Sequence, residues 1–171
     1  RIDVPSAAST DILVDPATIS FGFYSAENVT DEAVITFFNL NATSNQILTL
    51  DVTVQDISNG NQVDCATLNA TTLNIGPDSN ASVLLTINTP SSASLYSGKI
   101  EASADTGETL HVIFGFTKMA RITITKTNRL GYPAFDDHVG VFGEPGFPRF
   151  LEGQTNWYGN VSFYVTKGSY H

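Results

Sequence analysis

Residues 80–116 read NASVLLTINTPSSASLYSGKIEASADTGETLHVIFGF. Val83, Leu85 and Ile87 alternate with Leu84 and Thr86, the period of a strand, whose successive side chains point to opposite faces. Ile100, Ala102 and Ala104 alternate likewise with Glu101 and Ser103, and Leu110, Val112, Phe114 and Phe116 with His111 and Ile113. Between the last two runs lies Asp105-Thr106-Gly107-Glu108, a hairpin turn whose glycine supplies the positive φ such turns need. Tyr96 stands just before Gly98 at the start of a strand. It is placed either as a corner tyrosine tying a sandwich edge to its own loop or as a half-buried edge residue. Three strands with one apolar parity each need a second sheet to cover them, so this stretch predicts a β-sandwich.

The rest of the composition agrees with an all-β class. Val, Ile, Thr and Phe are plentiful in the 171 residues, and no segment carries a sustained helical period. A net charge of -9 argues against a nucleic-acid partner, whose phosphates need a basic face. The acids are scattered and read as solvated surface. No apolar run is long enough to cross a membrane as a helix. The chain opens at Arg1 with neither methionine nor signal peptide, so a processed or excised piece is expected and the compartment is not read from its start. Cys65 is the single cysteine; it is either a buried small hydrophobe or an unpaired thiol, and no internal disulfide can form.

Outward from the central stretch, Pro16 sets a turn before a first strand that includes Thr18-Ile19-Ser20-Phe21. Ala33 to Leu40 (AVITFFNL) is apolar on both parities and predicts a strand covered on both sides. Leu48, Leu50, Val52 and Val54 alternate with Thr49, Asp51, Thr53 and Gln55, the clearest strand in the chain. Asn59-Gly60 marks a turn, and Leu73-Asn74-Ile75 ends a strand at Gly76-Pro77-Asp78. About seven strands over roughly a hundred residues is the rhythm of an immunoglobulin-like sandwich.

These residues also carry a resemblance. Pro16-Ala17-Thr18-Ile19-Ser20-Phe21-Gly22, the strand with its asparagine from Ile35 to Asn39, Leu73-Asn74-Ile75-Gly76-Pro77 before Ala81-Ser82-Val83, and Tyr96-Ser97-Gly98-Lys99-Ile100 follow in order. Together they resemble the fibronectin-III-like domain that follows the catalytic domain of many secreted subtilisin-like serine proteases. Arg1-Ile2-Asp3-Val4 with Ala7-Ala8 is similar to the close of such a catalytic domain. The resemblance reaches from residue 1 to about residue 116. It implies a non-catalytic extracellular or cell-surface module, because the family's catalytic motifs have no counterpart here and no catalytic residue carries over.

From Lys118 the texture changes. Ile122 and Ile124 alternate with Arg121, Thr123 and Thr125; Asn128 to Pro133 is a turn; Val139 and Val141 mark another strand. A Gly/Pro-rich loop is expected from Gly143 to Gly153, and Trp157-Tyr158-Gly159-Asn160 turns into a strand with Val161, Phe163 and Val165 on one face. Gly131-Tyr132-Pro133, Thr155, Gly159-Asn160, Phe163-Tyr164-Val165 and Gly168-Ser169-Tyr170 are similar to carboxypeptidase-regulatory-like, or transthyretin-like, sandwich domains. Those usually continue with further strands where this chain stops at His171. The expected organisation is a lead segment over 1–14, a fibronectin-III-like sandwich over 15–117 and a partial transthyretin-like, second small sandwich over 118–171.

Chemistry-bearing groups are sparse. Asp136-Asp137-His138 could offer ligands to a metal, but adjacent positions point different ways and no second cluster completes a shell, so no metal site is expected. His111, His138 and His171 lie outside any nucleophile motif, so no catalytic residues are expected and the chain reads as a non-enzyme, with no cofactor. Lys126 with a later Asn or Asp has the makings of an isopeptide bond, though nothing else in the sequence supports one. Phe147, Phe150, Trp157 and Tyr158 form either a binding patch for sugar or peptide or the minor core of a small domain. Asn-x-Ser/Thr sequons stand at Asn28, Asn41, Asn69, Asn80 and Asn160, the first, second and fourth of them in polar turn segments where a glycan reaches solvent.

Two functions are therefore expected to compete. One is a structural and assembly element whose partners are copies of itself or the rest of a larger parent chain. In that reading the lead, where Ile12 and Val14 share one parity, adds as a strand to another copy's open edge and builds a filament. The other is a carbohydrate- or protein-binding module that uses the aromatic loop from Phe147 to Tyr158.

Overall fold

The computed structural model describes residues 10–25, 28–143 and 150–170, and every regular element in them is a strand. Residues 12–118 form two stacked sheets. The first comprises β1 (Ile12–Asp15), β3 (Thr30–Asn39), β7 (Asn80–Asn88) and β5 (Ala66–Leu68), in the order β1-β3-β7-β5. The second comprises β2 (Thr18–Tyr24), β9 (Thr109–Lys118), β8 (Ser94–Ala104), β4 (Gln46–Asp56) and β6 (Thr72–Ile75), in the order β2-β9-β8-β4-β6. The chain leaves one sheet for the other at Asp15-Pro16, a cis peptide, and β2 then runs parallel to β9.

The alternation read from the sequence sets the layers. Val83, Leu85 and Ile87 face inward from β7, Leu48, Leu50 and Val54 from β4, Ile100, Ala102 and Ala104 from β8, and Val112, Phe114 and Phe116 from β9, all buried. Gly107, at φ +92°, closes the β8–β9 hairpin. Gly98 pairs with Phe114 across these strands, and a side chain at 98 would collide with the Phe114 ring. Tyr96 proves to be the corner tyrosine. It is buried, stacks on Phe116 at 5.0 Å, and donates its hydroxyl to the Ser92 carbonyl at 2.7 Å. Buried Asn39 donates its amide to the carbonyls of Ser44, Ile75 and Gly76 and accepts from the Asn41 N–H. One polar side chain thus pins the β3–β4 loop to the end of β6 without an orphaned group.

Cys65 is buried, and burial, with Asp64 beside it, pushes its thiol up to about 11. Buried Asp56 accepts from the hydroxyls of Ser94 and Ser58 and from the Asn59 amide, and the two hydroxyls hold its carboxyl below the usual range.

Three expectations are corrected here. β3 is covered on one face only: Ile35 and Phe37 are fully buried while Val34 is 60% exposed, because a two-layer sandwich has nothing to place over its outer surface. The sandwich region holds nine strands rather than about seven: β1 lies before Pro16, in the expected lead, and β5 has three residues. The lead does not end at residue 14. Ile12 is buried and Ile12–Asp15 pairs with Thr36–Asn39 of the same chain, so this segment is already committed and not free to join another copy. Residues 1–9 lie outside the described residues.

The second unit is smaller. β10 (Ala120–Thr125) pairs with β13 (Asn160–Val165), and β11 (His138–Val141) with β12 (Leu151–Gln154). The two ribbons enclose Val141, Phe163 and Val165, flanked by Ile122, Ile124, Val139, Leu151 and Val161. A side chain at Gly153 would run into Val161 and Phe163, so the glycine lets the ribbons approach. β12 replaces the last part of the expected loop; residues 144–149 are outside the described set. Lys167 reaches back to the sandwich and donates to the Ser58 hydroxyl at 2.7 Å.

Parity in β4 supplies a direct test. Leu48→Ala should cost about 2–5 kcal/mol, the usual range for a fully buried leucine. Thr49→Ala, on the exposed parity, should stay within about 0.5 kcal/mol. Urea titration of both variants would contradict the layer assignment if the two midpoints moved equally.

Candidate functional site

β10 runs away from the sandwich and β13 returns, with Thr125 opposite Asn160 and Ala120 opposite Val165. The loops 126–137 and 155–159 therefore sit at the end of the second unit far from its junction. Each is built around one asparagine. Asn128 accepts the N–H groups of Leu130 and Tyr132 on its side-chain oxygen. Asn156 accepts those of Tyr158 and Asn160 in the same way. Such side-chain turns hold a loop without help from a sheet.

Gly159 brings the two loops together. It has φ +74°, and its N–H bonds the Asn156 carbonyl while its own carbonyl accepts from the Lys126 N–H at 2.8 Å. A Cβ there would collide with the Lys126 carbonyl oxygen and crowd Pro133 and Ala134. The Thr155 hydroxyl adds a bond to the Ala134 carbonyl and accepts from the Asp137 N–H.

The result is an aromatic tip. The Trp157 and Phe135 rings stack with centroids 3.8 Å apart and planes 6° from parallel. Trp157 and Tyr158 are each 75% exposed, and Tyr132 and Leu130 of the facing loop are exposed as well. The stack covers one face of the indole and leaves the rest to solvent. Rings of this size are normally withdrawn from water, so their exposure here sets the tip apart from the rest of the second unit.

The expected patch is thus only partly assembled. Trp157 and Tyr158 belong to it, whereas Phe150 lies at the opposite end of the β11–β12 ribbon, 5.0 Å from Phe142. Phe147 falls outside the described residues. Phe135 was missed, since only the pairing of two distant loops brings it to Trp157; Gly159 directly after Trp157-Tyr158 was the available signal.

The other candidate groups are dispersed. His138 bonds Glu152 and Gln154, and Asp137 pairs with Lys126 at 2.7 Å. Among the described residues no three metal-ligating side chains converge. The Lys126–Asp137 pair is about half exposed, and Lys126 holds the carboxyl below its usual range. That is the state of an ion pair; amide formation would need a neutral amine and a protonated acid. His111 is on the exposed parity beside Glu101.

The sequons spread over the surface. Asn28 lies before β3 and Asn69 after β5; Asn80 opens β7 itself rather than lying in the turn before it. Asn28, Asn69 and Asn80 are exposed. Asn160 sits outward at the start of β13, its side-chain oxygen bonded by Thr125. The Asn41 amide donates to Asp11 at 3.3 Å.

Comparison with known proteins speaks to the fold alone. No family model matches the chain, and no curated protein matches it. The ASH/PapD-like domain 7 of human CEP192 is similar over 66% of this chain and 87% of that one, with TM-score 0.51 and 14% identity. A family 123 glycoside hydrolase from Clostridium perfringens, described in work on glycolipid glycan hydrolysis, matches over 60% of this chain at TM-score 0.50 and 15% identity. This chain covers only 23% of that hydrolase. The periplasmic chaperone SfaE is aligned over 93% of this chain at a TM-score of 0.42 and 9% identity. The chain is an all-β protein with an immunoglobulin-like sandwich.

Two glycines test how the tip is made. Gly131 also has positive φ, at +84°, but open space where its Cβ would stand. Gly131→Ala should cost only the backbone term, about 1–2 kcal/mol. Gly159→Ala should cost more and shift the emission of Trp157, which is the only tryptophan. Equal stability losses with unchanged emission in both variants would show that the loops do not depend on the contact.

Proposed function

We propose that the chain is a non-catalytic extracellular module in which the sandwich serves as a spacer and the second unit presents a recognition tip. The stacked and exposed Phe135–Trp157 pair carries this reading. The ordered motifs from Pro16 to Ile100 support a place downstream of a subtilisin-like catalytic domain, as an accessory part of a longer chain. The sequons support a secreted, glycosylated setting, and no helix among the described residues is long and apolar enough to cross a membrane. His111 and His138 face carboxylates, Glu101 and Glu152, rather than a serine or cysteine, which supports a role without hydrolysis.

The test uses extracellular matrix or cell-wall material from the source as a solid phase. Wild-type chain should be retained, and the Trp157→Ala, Tyr158→Ala double variant should pass through at least about tenfold more readily. Equal retention would contradict the reading, as would casein hydrolysis by the purified chain that a serine-directed inhibitor abolishes.

A second reading, assembly with copies of itself, is favoured by a different surface. Ile57, Leu95 and Thr117 line a groove of about 510 Å³ with Thr166, Lys167 and Gly168, and Ile57 and Leu95 are each about half exposed. Exposed Phe23 lies in an adjoining groove that shares Leu95 and Thr117. Sedimentation over a range of concentrations should then show association that Leu95→Asp removes; a monomer throughout would exclude it.

A further inference from the structure

We infer that the tip is a platform for a neutral carbohydrate, with a pyranose ring stacking on the open part of Trp157. The inference rests on reading the tip as a recognition surface and adds the chemistry of its ligand. A protein partner takes an aromatic surface as the dry centre of a wider interface with a polar rim. A sugar asks for a flat ring under its C–H face and hydrogen-bonding groups round the rim for its hydroxyls.

The rim has such groups to spare. The side-chain oxygens of Asn128 and Asn156 are used up in shaping the loops. Their amide N–H₂ groups have no partner among the described residues, nor do the Arg129 guanidinium and the hydroxyls of Tyr132 and Tyr158. Uncommitted donors on the two loops that meet at the stack suit a polyol, whose oxygens accept from such groups. The loops are also ordered by their own bonds, so little conformational freedom is lost on binding.

Charge narrows the class. The chain carries -9 over the whole molecule, while the tip loop itself is balanced, Lys126 and Arg129 standing against Asp136 and Asp137. An acidic polysaccharide would meet repulsion at long range, whereas a neutral one would be indifferent to it. Asn160, though close in sequence, points outward from β13 with Thr125, opposite to the core-facing parity of Val161.

The single tryptophan makes the test direct. The intact chain is titrated with cellohexaose, xylohexaose, laminarihexaose and chitohexaose while Trp157 emission is followed, and run in native gels containing hydroxyethylcellulose, arabinoxylan or, as the anionic control, alginate. At least one neutral hexasaccharide should change the emission saturably, with a midpoint that does not move between low and high salt. Retardation should occur in a neutral gel and not in alginate. Trp157→Ala should remove the retardation, and Tyr158→Ala, which keeps the reporter, should weaken the titration about tenfold or more. Emission that ignores all four sugars up to about 10 mM, the weak end of specific binding, overturns the inference. If it nevertheless shifts as the chain itself is concentrated, the tip remains a recognition surface and its ligand is a second copy. Silence to both overturns the sugar and the tip together.

Discussion

The ring of Phe114 fills the space that a side chain at residue 98 would need, and the sandwich is arranged around that contact. Gly98 and Phe114 face each other across β8 and β9, the two longest-paired strands of the five-stranded sheet. Phe21 of β2 meets Phe114 edge-on at 6.3 Å, and Tyr24 meets Phe116 in the same manner at 6.0 Å. These aromatic contacts draw β2 against β9 after the chain has crossed from the other sheet. On the far side of β8, Leu48, Leu50 and Val54 continue the same buried layer through β4. Burial of apolar area is the main stabilising term, but the glycine decides that the layer can close.

A glycine plays the corresponding part in the second unit, on a scale that bears on function. Among its described residues three apolar side chains are buried, Val141, Phe163 and Val165, which is little apolar burial for its length. The loops at its end therefore depend on hydrogen bonds for their shape, through Asn128, Asn156 and Thr155, and on the close approach at Gly159. This division of labour leaves the aromatic side chains of the tip free of structural duty. Trp157 and Tyr158 sit on a backbone fixed by these bonds and stay exposed.

Where one face of a strand meets the core and the other meets water, the sequence was legible. The alternations from Leu48 to Val54, Val83 to Ile87 and Leu110 to Phe116 gave strands with the correct inward parity, and the corner role of Tyr96 followed from its position. Legibility failed where neighbours rather than pattern decide the outcome. Leu151–Gln154 reads LEGQ, with one apolar residue, and becomes a strand because β11 offers it an edge. Val34 and Leu40 looked buried by type, yet no third layer exists to cover them. At the tip, Trp157 and Tyr158 stood out by residue type alone. Their true companion Phe135 did not, because the stack joins loops 22 residues apart and Phe150, nearer in sequence, points to the other end of the ribbon.

The aromatic tip is exposed and held in a fixed arrangement, with Trp157 stacked on Phe135. Time-resolved fluorescence anisotropy of Trp157, combined with acrylamide quenching, addresses it most directly. Stacking on Phe135 predicts that depolarisation follows the tumbling of the second unit, with no large fast component, while acrylamide reaches the indole readily. A dominant subnanosecond decay would mean a loosely hinged loop, and poor quenching would mean a buried ring; either result would contradict the account.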